Sequence, residues 1–145
     1  LFIWYSKIRG EYMKDIIKKY KGVGYDLSCS ETILYAANDK WELGLSEDHF
    51  KMVAPFSGGL LVEDVCGILT SALTVLGIIF TSEVAHQSPI MIEASREYIS
   101  EFKKNLGSSN CKNLKLLYRD PIHGCNDLII DGGILLESLV KKYKA

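Results

Sequence analysis

The sequence predicts an all-α fold, a single-domain antiparallel helical bundle around a buried central helix at about residues 63–80. Three observations carry this expectation. Apolar residues recur at steps of three and four over long stretches. Capping residues, glycines and prolines punctuate those stretches at short intervals. No run alternates apolar and polar residues between hairpin turns, as strands would.

The first helix is expected over about Ser6 to Tyr20, where Ile8, Tyr12, Ile16 and Tyr20 fall at steps of four and Met13 and Ile17 widen the stripe. Gly22-Val23-Gly24 ends it. A second helix, about Ser30 to Trp41, turns Ile33, Ala36, Ala37 and Trp41 inward, and Gly44 breaks it. Ser46-Glu47-Asp48 opens a short third helix through about Val53. Pro55-Phe56-Ser57-Gly58-Gly59 reads as a loop. The stretch from Glu63 to Phe80 is apolar on every side and is expected as the buried helix. Gly67 and Gly77 inside it each cost about 1 kcal/mol against Ala, so close packing is the expected reason for them. Pro89 suits the first turn of a helix that carries Ile92, Ile99 and Phe102 and closes at Gly107. A short helix follows at about Cys111 to Tyr118, then Pro121 and Gly124. The last helix carries Leu128, Leu135 and Leu139 beside Ile129, Leu136 and Val140, with Gly132-Gly133 allowing a neighbour to approach. Short connections suit an antiparallel bundle, and one domain is expected to span residues 1–145.

Composition narrows the function. The chain is 48% hydrophobic and 24% charged, which is globular rather than disordered. Its 17 basic and 18 acidic residues give a net charge of -1, so no global field recruits nucleic acid or an anionic membrane. Lysines at 14, 18, 19 and 21 and at 141, 142 and 144 read as solvated faces and helix-end charges. The uncharged run from Val65 to Ser82 falls short of the roughly 20 apolar residues of a membrane span. Leu1 to Tyr5 is too short for a signal core, so a cytoplasmic setting is expected. No Ser-His-Asp order and no carboxylate pair points to hydrolysis, and whether the chain is an enzyme is left open.

The four cysteines, Cys29, Cys66, Cys111 and Cys125, carry the chemistry. Each lies near an expected helix start, beside Ser28, Glu63-Asp64, Asn110 or Asn126-Asp127. Such a terminus stabilises a thiolate, so lowered thiol pKa values are expected. No two cysteines form a C-x-x-C pair, so any joint site must be assembled by the fold. His123 precedes Cys125 by two residues and is placed to activate a thiol or join a metal shell, whereas His49 and His86 have no ligand pattern around them. Ser57-Gly58-Gly59, without the lysine and spacing of a P-loop, is a candidate anion nest. Together with Gly67 these residues are the candidate cofactor contacts. The plain alternative is four buried structural thiols.

The chain resembles the redox-active proteins of bacteria and archaea named for four cysteines and a C-G-A-x-x-G motif around the second. The matching stretches run from Leu27-Ser28-Cys29 to Leu34, from Phe56-Ser57-Gly58-Gly59 to Cys66-Gly67 and Ala72-Leu73, from Phe102 through Asn110-Cys111 to Leu114, and over Cys125-Asn126-Asp127-Leu128-Ile129. Together they cover about residues 12–140. Ile68 and Ser71 depart from the motif's small residues. The resemblance implies a helical domain with a cysteine-based redox role, and it favours a cluster or a dithiol couple. On that footing Cys29, Cys66, Cys111 and Cys125 are expected to bind a [2Fe–2S] or [4Fe–4S] iron–sulfur cluster for electron transfer, served by a redox partner protein. A thiol–disulfide oxidoreductase or redox sensor, cycling for example Cys111 with Cys125, is the alternative. A non-redox helical interaction module is the second. A homo-oligomer is compatible with the sequence.

Overall fold

The computed structural model describes residues 11–145. The expected first turns from Ser6, and the segment Leu1 to Tyr5, lie outside the described residues. Helices α1 (Met13–Tyr20), α2 (Cys29–Trp41), α3 (Glu47–Met52), α4 (Gly67–Phe80), α5 (Pro89–Leu106), α6 (Cys111–Tyr118) and α7 (Asn126–Lys144) follow in order. Single 3-10 turns form at Ala54–Phe56 and Ala85–Gln87. Among the described residues, extended pairing is limited to two isolated antiparallel bridges, Val65 with Asn110 and Asp120 with Gly124. The class is all-α, as the periodicity predicts.

Each helix buries the stripe its sequence offers. In α1, Met13, Ile16, Ile17 and Tyr20 are buried, while Tyr12 precedes the first helical turn and stays exposed. The head of α2 is closed by a capping box: Ser28 Oγ accepts from the Glu31 N–H and Glu31 Oε1 accepts from the Ser28 N–H. Pro89 opens α5 at its first turn, and Gly107 ends it in the left-handed conformation at φ 98°. The central helix α4 packs on α2, α5 and α7, and α1 lies across α2 and α7. Ile68, Leu69, Ser71, Ala72, Val75 and Leu76 of α4 are buried, whereas Ile78 near its end is exposed.

The chain differs from expectation at the start of that central helix. It begins at Gly67 rather than near Glu63. Gly59–Glu63 instead form a wide turn in which Leu60, Leu61 and Glu63 take positive φ. The backbone groups beyond it bond across the molecule: the Cys66 N–H donates to Ser109 O at 2.8 Å and the Cys111 N–H to Asp64 O at 2.6 Å. These long-range bonds satisfy groups that a helical turn would have used, and they outweigh local helix preference. The Pro55–Gly59 loop also contains the first of the two 3-10 turns.

Glycine positions separate into tight and open ones. A Cβ on Gly77 would meet nothing nearer than Thr81 Oγ1 at 4.0 Å, so close packing does not account for it. At Gly132 a Cβ would overlap Ile68 Cγ2, and at Gly133 it would overlap Ile17 Cδ1. Tyr98, fully buried, donates its hydroxyl proton to Gly132 O at 2.8 Å and so fixes α5 on α7 at that spot. Both isoleucines are buried, but Ile68 Cγ2 is set by the restricted χ1 of a β-branched side chain, whereas Ile17 Cδ1 is a chain end that χ2 can move. Gly132→Ala is therefore expected to cost about 1–2 kcal/mol net, the overpacking exceeding the helix-propensity gain. Gly133→Ala is expected to be near neutral. Urea denaturation of both variants checks this, and equal midpoints would contradict it. No described helix is long and apolar enough to cross a membrane.

Candidate functional site: a four-cysteine cavity

All four cysteines line one cavity of about 300 Å³. Cys29 is the first residue of α2 and Cys111 the first of α6, while Cys66 and Cys125 are the residues immediately before α4 and α7. Four helix N-termini thus converge on the cavity, and all four thiols are free. The expectation that every cysteine marks a helix start holds, with one adjustment. Glu63-Asp64 do not cap α4; Cys66 itself occupies the cap position, without a side-chain cap hydrogen bond.

Local backbone geometry brings the termini together. The Val65–Asn110 bridge sets Cys66 beside Cys111 through the two hydrogen bonds just given. Asn110 Oδ1 caps α6 by accepting from the Asn113 N–H at 3.2 Å. Gly67 is needed for the approach of α2: a Cβ there would lie 2.5 Å from Phe56 O and 2.9 Å from Cys29 Sγ. Gly59, at φ 69°, lies directly behind Cys111, where a Cβ would come within 2.5 Å of Cys111 Cβ. The two sites of small-residue departure are filled rather than open. Ser71 is buried and its hydroxyl donates to Ser30 O at 2.7 Å, and Ile68 lines the inner wall against Gly132.

The electrostatics correct the lowered thiol pKa values expected from helix dipoles. Burial pushes the Cys66 thiol up to about 12, although the N–H groups of Ile68 and Leu69 act to lower it. Burial also raises Cys111, against the pull of Lys115. Cys125 is raised chiefly by burial and then by Cys29, against the positive charges of Arg119, Lys115 and Lys21. Desolvation of a thiolate thus exceeds what a helix terminus returns. Cys66 and Cys111 are buried, and Cys29 and Cys125 are half-buried, so the latter two are the thiols that solvent reaches.

Of the candidate cofactor contacts, Gly58 and Gly67 line the cavity. Ser57 does not; its hydroxyl turns back to donate to Ala54 O. His123 is on the rim, exposed, with Nδ1 3.5 Å from Asp120 Oδ1. His49 instead accepts from the Ser46 N–H at the head of α3. Sequence reading missed Lys21, which follows α1, and Lys115 and Arg119 in the last turn of α6 and just after it, all three of which line the cavity. Only the spacing of Lys115, four residues after Cys111 on α6, was a readable hint.

Among the described residues, no three His, Cys, Asp or Glu side chains converge tightly enough to hold a single metal ion. The four sulfurs ring a cavity instead of meeting at a point.

A family model described as "Putative redox-active protein (C_GCAxxG_C_C)" matches residues 27–139, which takes in all four cysteines. In that spelling the second cysteine stands in G-C-A-x-x-G. The chain has Val65-Cys66-Gly67-Ile68-Leu69-Thr70 there, so Gly67 stands at the alanine and Thr70, rather than Ser71, at the second glycine. No curated protein and no solved structure matches the chain.

Proposed function

The chain belongs to the C_GCAxxG_C_C family, and from that premise we propose that Cys29, Cys66, Cys111 and Cys125 act together as one redox centre. The observation that carries this is their convergence on a single cavity from four helix N-termini. Structural thiols filling a core would have no reason to share an open, cation-lined space. A helical module with purely structural cysteines is therefore the weaker reading.

An iron–sulfur cluster fits the donor set. Four thiols and no other metal-binding side chain but His123 line the cavity. In a multi-iron cluster different irons take different thiolates, so the sulfurs need not converge on one point, whereas a single zinc ion would require it. Lys21, Lys115 and Arg119 would offset the negative charge of an all-thiolate site, as would the N–H groups at the head of α4. Cys29, Cys66, Cys111 and Cys125 would hold the cluster, which when bound supplies one-electron transfer to a redox partner protein. The residues themselves exclude water through Leu114, Leu128 and Ile129 and give up their thiol protons on loading. Anaerobic reconstitution with iron and sulfide is the test. A brown protein with stoichiometric iron, losing most of its visible absorbance in Cys29→Ser and Cys66→Ser, is expected. Protein that stays colourless and iron-free with all thiols reduced would refute the cluster.

A specific observation favours a second reading, thiol–disulfide exchange. All four thiols line the one cavity, and repulsion between thiolates links Cys29 and Cys111 each to the other three. Both Cys29 and Cys125 are open to solvent, so a mixed disulfide would form at one of them. Reduced thiols of this kind suit a reducing compartment such as the cytoplasm. Titration of thiols after mild oxidation is expected to find two fewer than four. An unchanged count would remove this reading.

A further inference from the structure

We propose that the cavity receives carboxylate-bearing low-molecular-weight disulfides, with Arg119 holding the carboxylate while Cys125 attacks the disulfide. The proposal deepens the thiol–disulfide reading and rests on it. Lys21, Lys115 and Arg119 line the cavity, and no Asp or Glu does. Two of the three cations are committed elsewhere. Lys21 Nζ donates to Leu27 O at 2.8 Å, and Lys115 Nζ lies 3.9 Å from Glu63 Oε1. His123 on the rim is beside Asp120. The Arg119 guanidinium has no ion pair or side-chain hydrogen bond among the described residues.

The backbone holds that free guanidinium next to a thiol. The Arg119 N–H closes the end of α6 by donating to Lys115 O at 3.1 Å. Asp120 and Gly124 then exchange two hydrogen bonds of 3.0 Å each, closing a tight turn with Arg119 on one flank and Cys125 on the other. Arg119 and Cys125 line the same cavity. A planar fork of donors suits a carboxylate, which it can grip at both oxygens. A volume of about 300 Å³ is at the small end of ligand sites, enough for one arm of a small disulfide.

The reaction balances without a further reagent. Cys125 loses its proton to water and its thiolate attacks one sulfur of the substrate. The substrate S–S bond breaks, a Cys125–substrate disulfide forms, and the leaving thiolate takes up a proton. Cys29, which lines the same cavity, gives up its proton and attacks the Cys125 sulfur, and the departing substrate thiolate takes up a proton. A Cys29–Cys125 disulfide forms and the second substrate thiol departs. Two cysteines are oxidised and one disulfide is reduced to two thiols.

Three disulfides of similar size test it with the reduced full chain: 3,3′-dithiodipropionate (dianionic), 2-hydroxyethyl disulfide (neutral) and cystamine (dicationic). Each rate is divided by that of a simple model thiol, because leaving-group pKa alone alters exchange. The dianion is expected to exceed the dication by about tenfold at low salt, by electrostatic attraction at the mouth. The ratio should shrink towards one at high salt and in Arg119→Glu. In Cys29→Ser, which blocks resolution, the trapped adduct should map to Cys125 by mass spectrometry. Normalised ratios near one in the native protein, a ratio unmoved in Arg119→Glu, or an adduct on another cysteine would each overturn the proposal. If the neutral compound reacts but charge makes no difference, the proposal falls while the exchange reading stands. If none of the three oxidises the native thiols while the denatured chain reacts, the exchange reading falls with it.

Discussion

Alanine at Gly59 is expected to lower stability by about 3 kcal/mol or more, whereas alanine at its neighbour Gly58 should cost only about 1 kcal/mol. Both glycines have positive φ, 59° at Gly58 and 69° at Gly59, so both substitutions carry the same conformational penalty. Their surroundings differ. A Cβ on Gly58 meets nothing within 4 Å, while on Gly59 it lies 2.5 Å from Cys111 Cβ, 2.7 Å from Asp64 N and 2.8 Å from Asp64 O. Two of those three atoms are backbone and cannot rotate away. Asp64 O also accepts the hydrogen bond from the Cys111 N–H, and Asp64 N donates to Gly59 O at 2.8 Å. Relief of the overlap must therefore loosen the Val65–Asn110 bridge that sets Cys66 beside Cys111. In a chain of this size the loss corresponds to a melting temperature lower by roughly 10 °C. A second readout tests the link to the site: Cys111, buried in the native protein, should react faster with a small alkylating agent in Gly59→Ala than in Gly58→Ala. Equal melting temperatures and equal Cys111 reactivity would show that the turn adapts and does not support the cavity.

The pair also illustrates what sequence can and cannot disclose. Helix periodicity disclosed the long helices among the described residues because an amphipathic stripe is a local property: Ile16 and Tyr20 of α1, or Leu128 and Leu136 of α7, announce their burial by spacing. The helix starts at Cys29 and Cys111 were readable for the same reason, since Ser28 and Asn110 act within three residues. The turn before α4 was not readable. Glu63 to Cys66 read as the opening turn of the buried helix, and only the bonds of Asp64 and Cys66 with Cys111 and Ser109, far along the chain, draw that segment out of it. The cationic lining was hidden too, because Lys21 lies far along the chain from Lys115 and Arg119 and each resembles an ordinary solvated side chain in its own stretch. The thiol pKa values went against expectation because a dipole belongs to one helix, while desolvation depends on everything packed around the sulfur. Cys66 is the extreme case, 3% exposed at the head of the central helix.

Cys66 leads to the other large effect, a loss of stability in alkali. Its thiol is held up to about 12 in the folded chain against a reference value of 9.0. Below pH 9 the thiol is protonated in both folded and unfolded chains, and its contribution is fully present. Between pH 9 and 12 the unfolded chain releases the proton while the folded chain retains it, so folding loses about 1.4 kcal/mol per pH unit, on the order of 4 kcal/mol across the window. Cys111 and Cys125, also raised by burial, add to the decline, as do buried Tyr98 and hydrogen-bonded Tyr20 at higher pH. Those groups remain in Cys66→Ala, so the difference in slope between the two proteins isolates Cys66. Reduced, metal-free protein denatured by urea at pH 8.5 to 11 should show the wild type falling more steeply by about one proton's worth, 1.4 kcal/mol per unit. Parallel lines would mean that the folded thiol ionises as readily as a free one. Loading the site reverses the argument. A soft cation that takes one thiolate at a time, such as methylmercury, must expel the protons that burial retains when it binds. Methylmercury affinity of the wild type should therefore climb with pH up to the alkaline limit of the fold, and proton release on binding should be measurable in weak buffer. Uptake that is independent of pH would mean that the sulfurs are already ionised in the reduced protein, against the desolvation argument for Cys66.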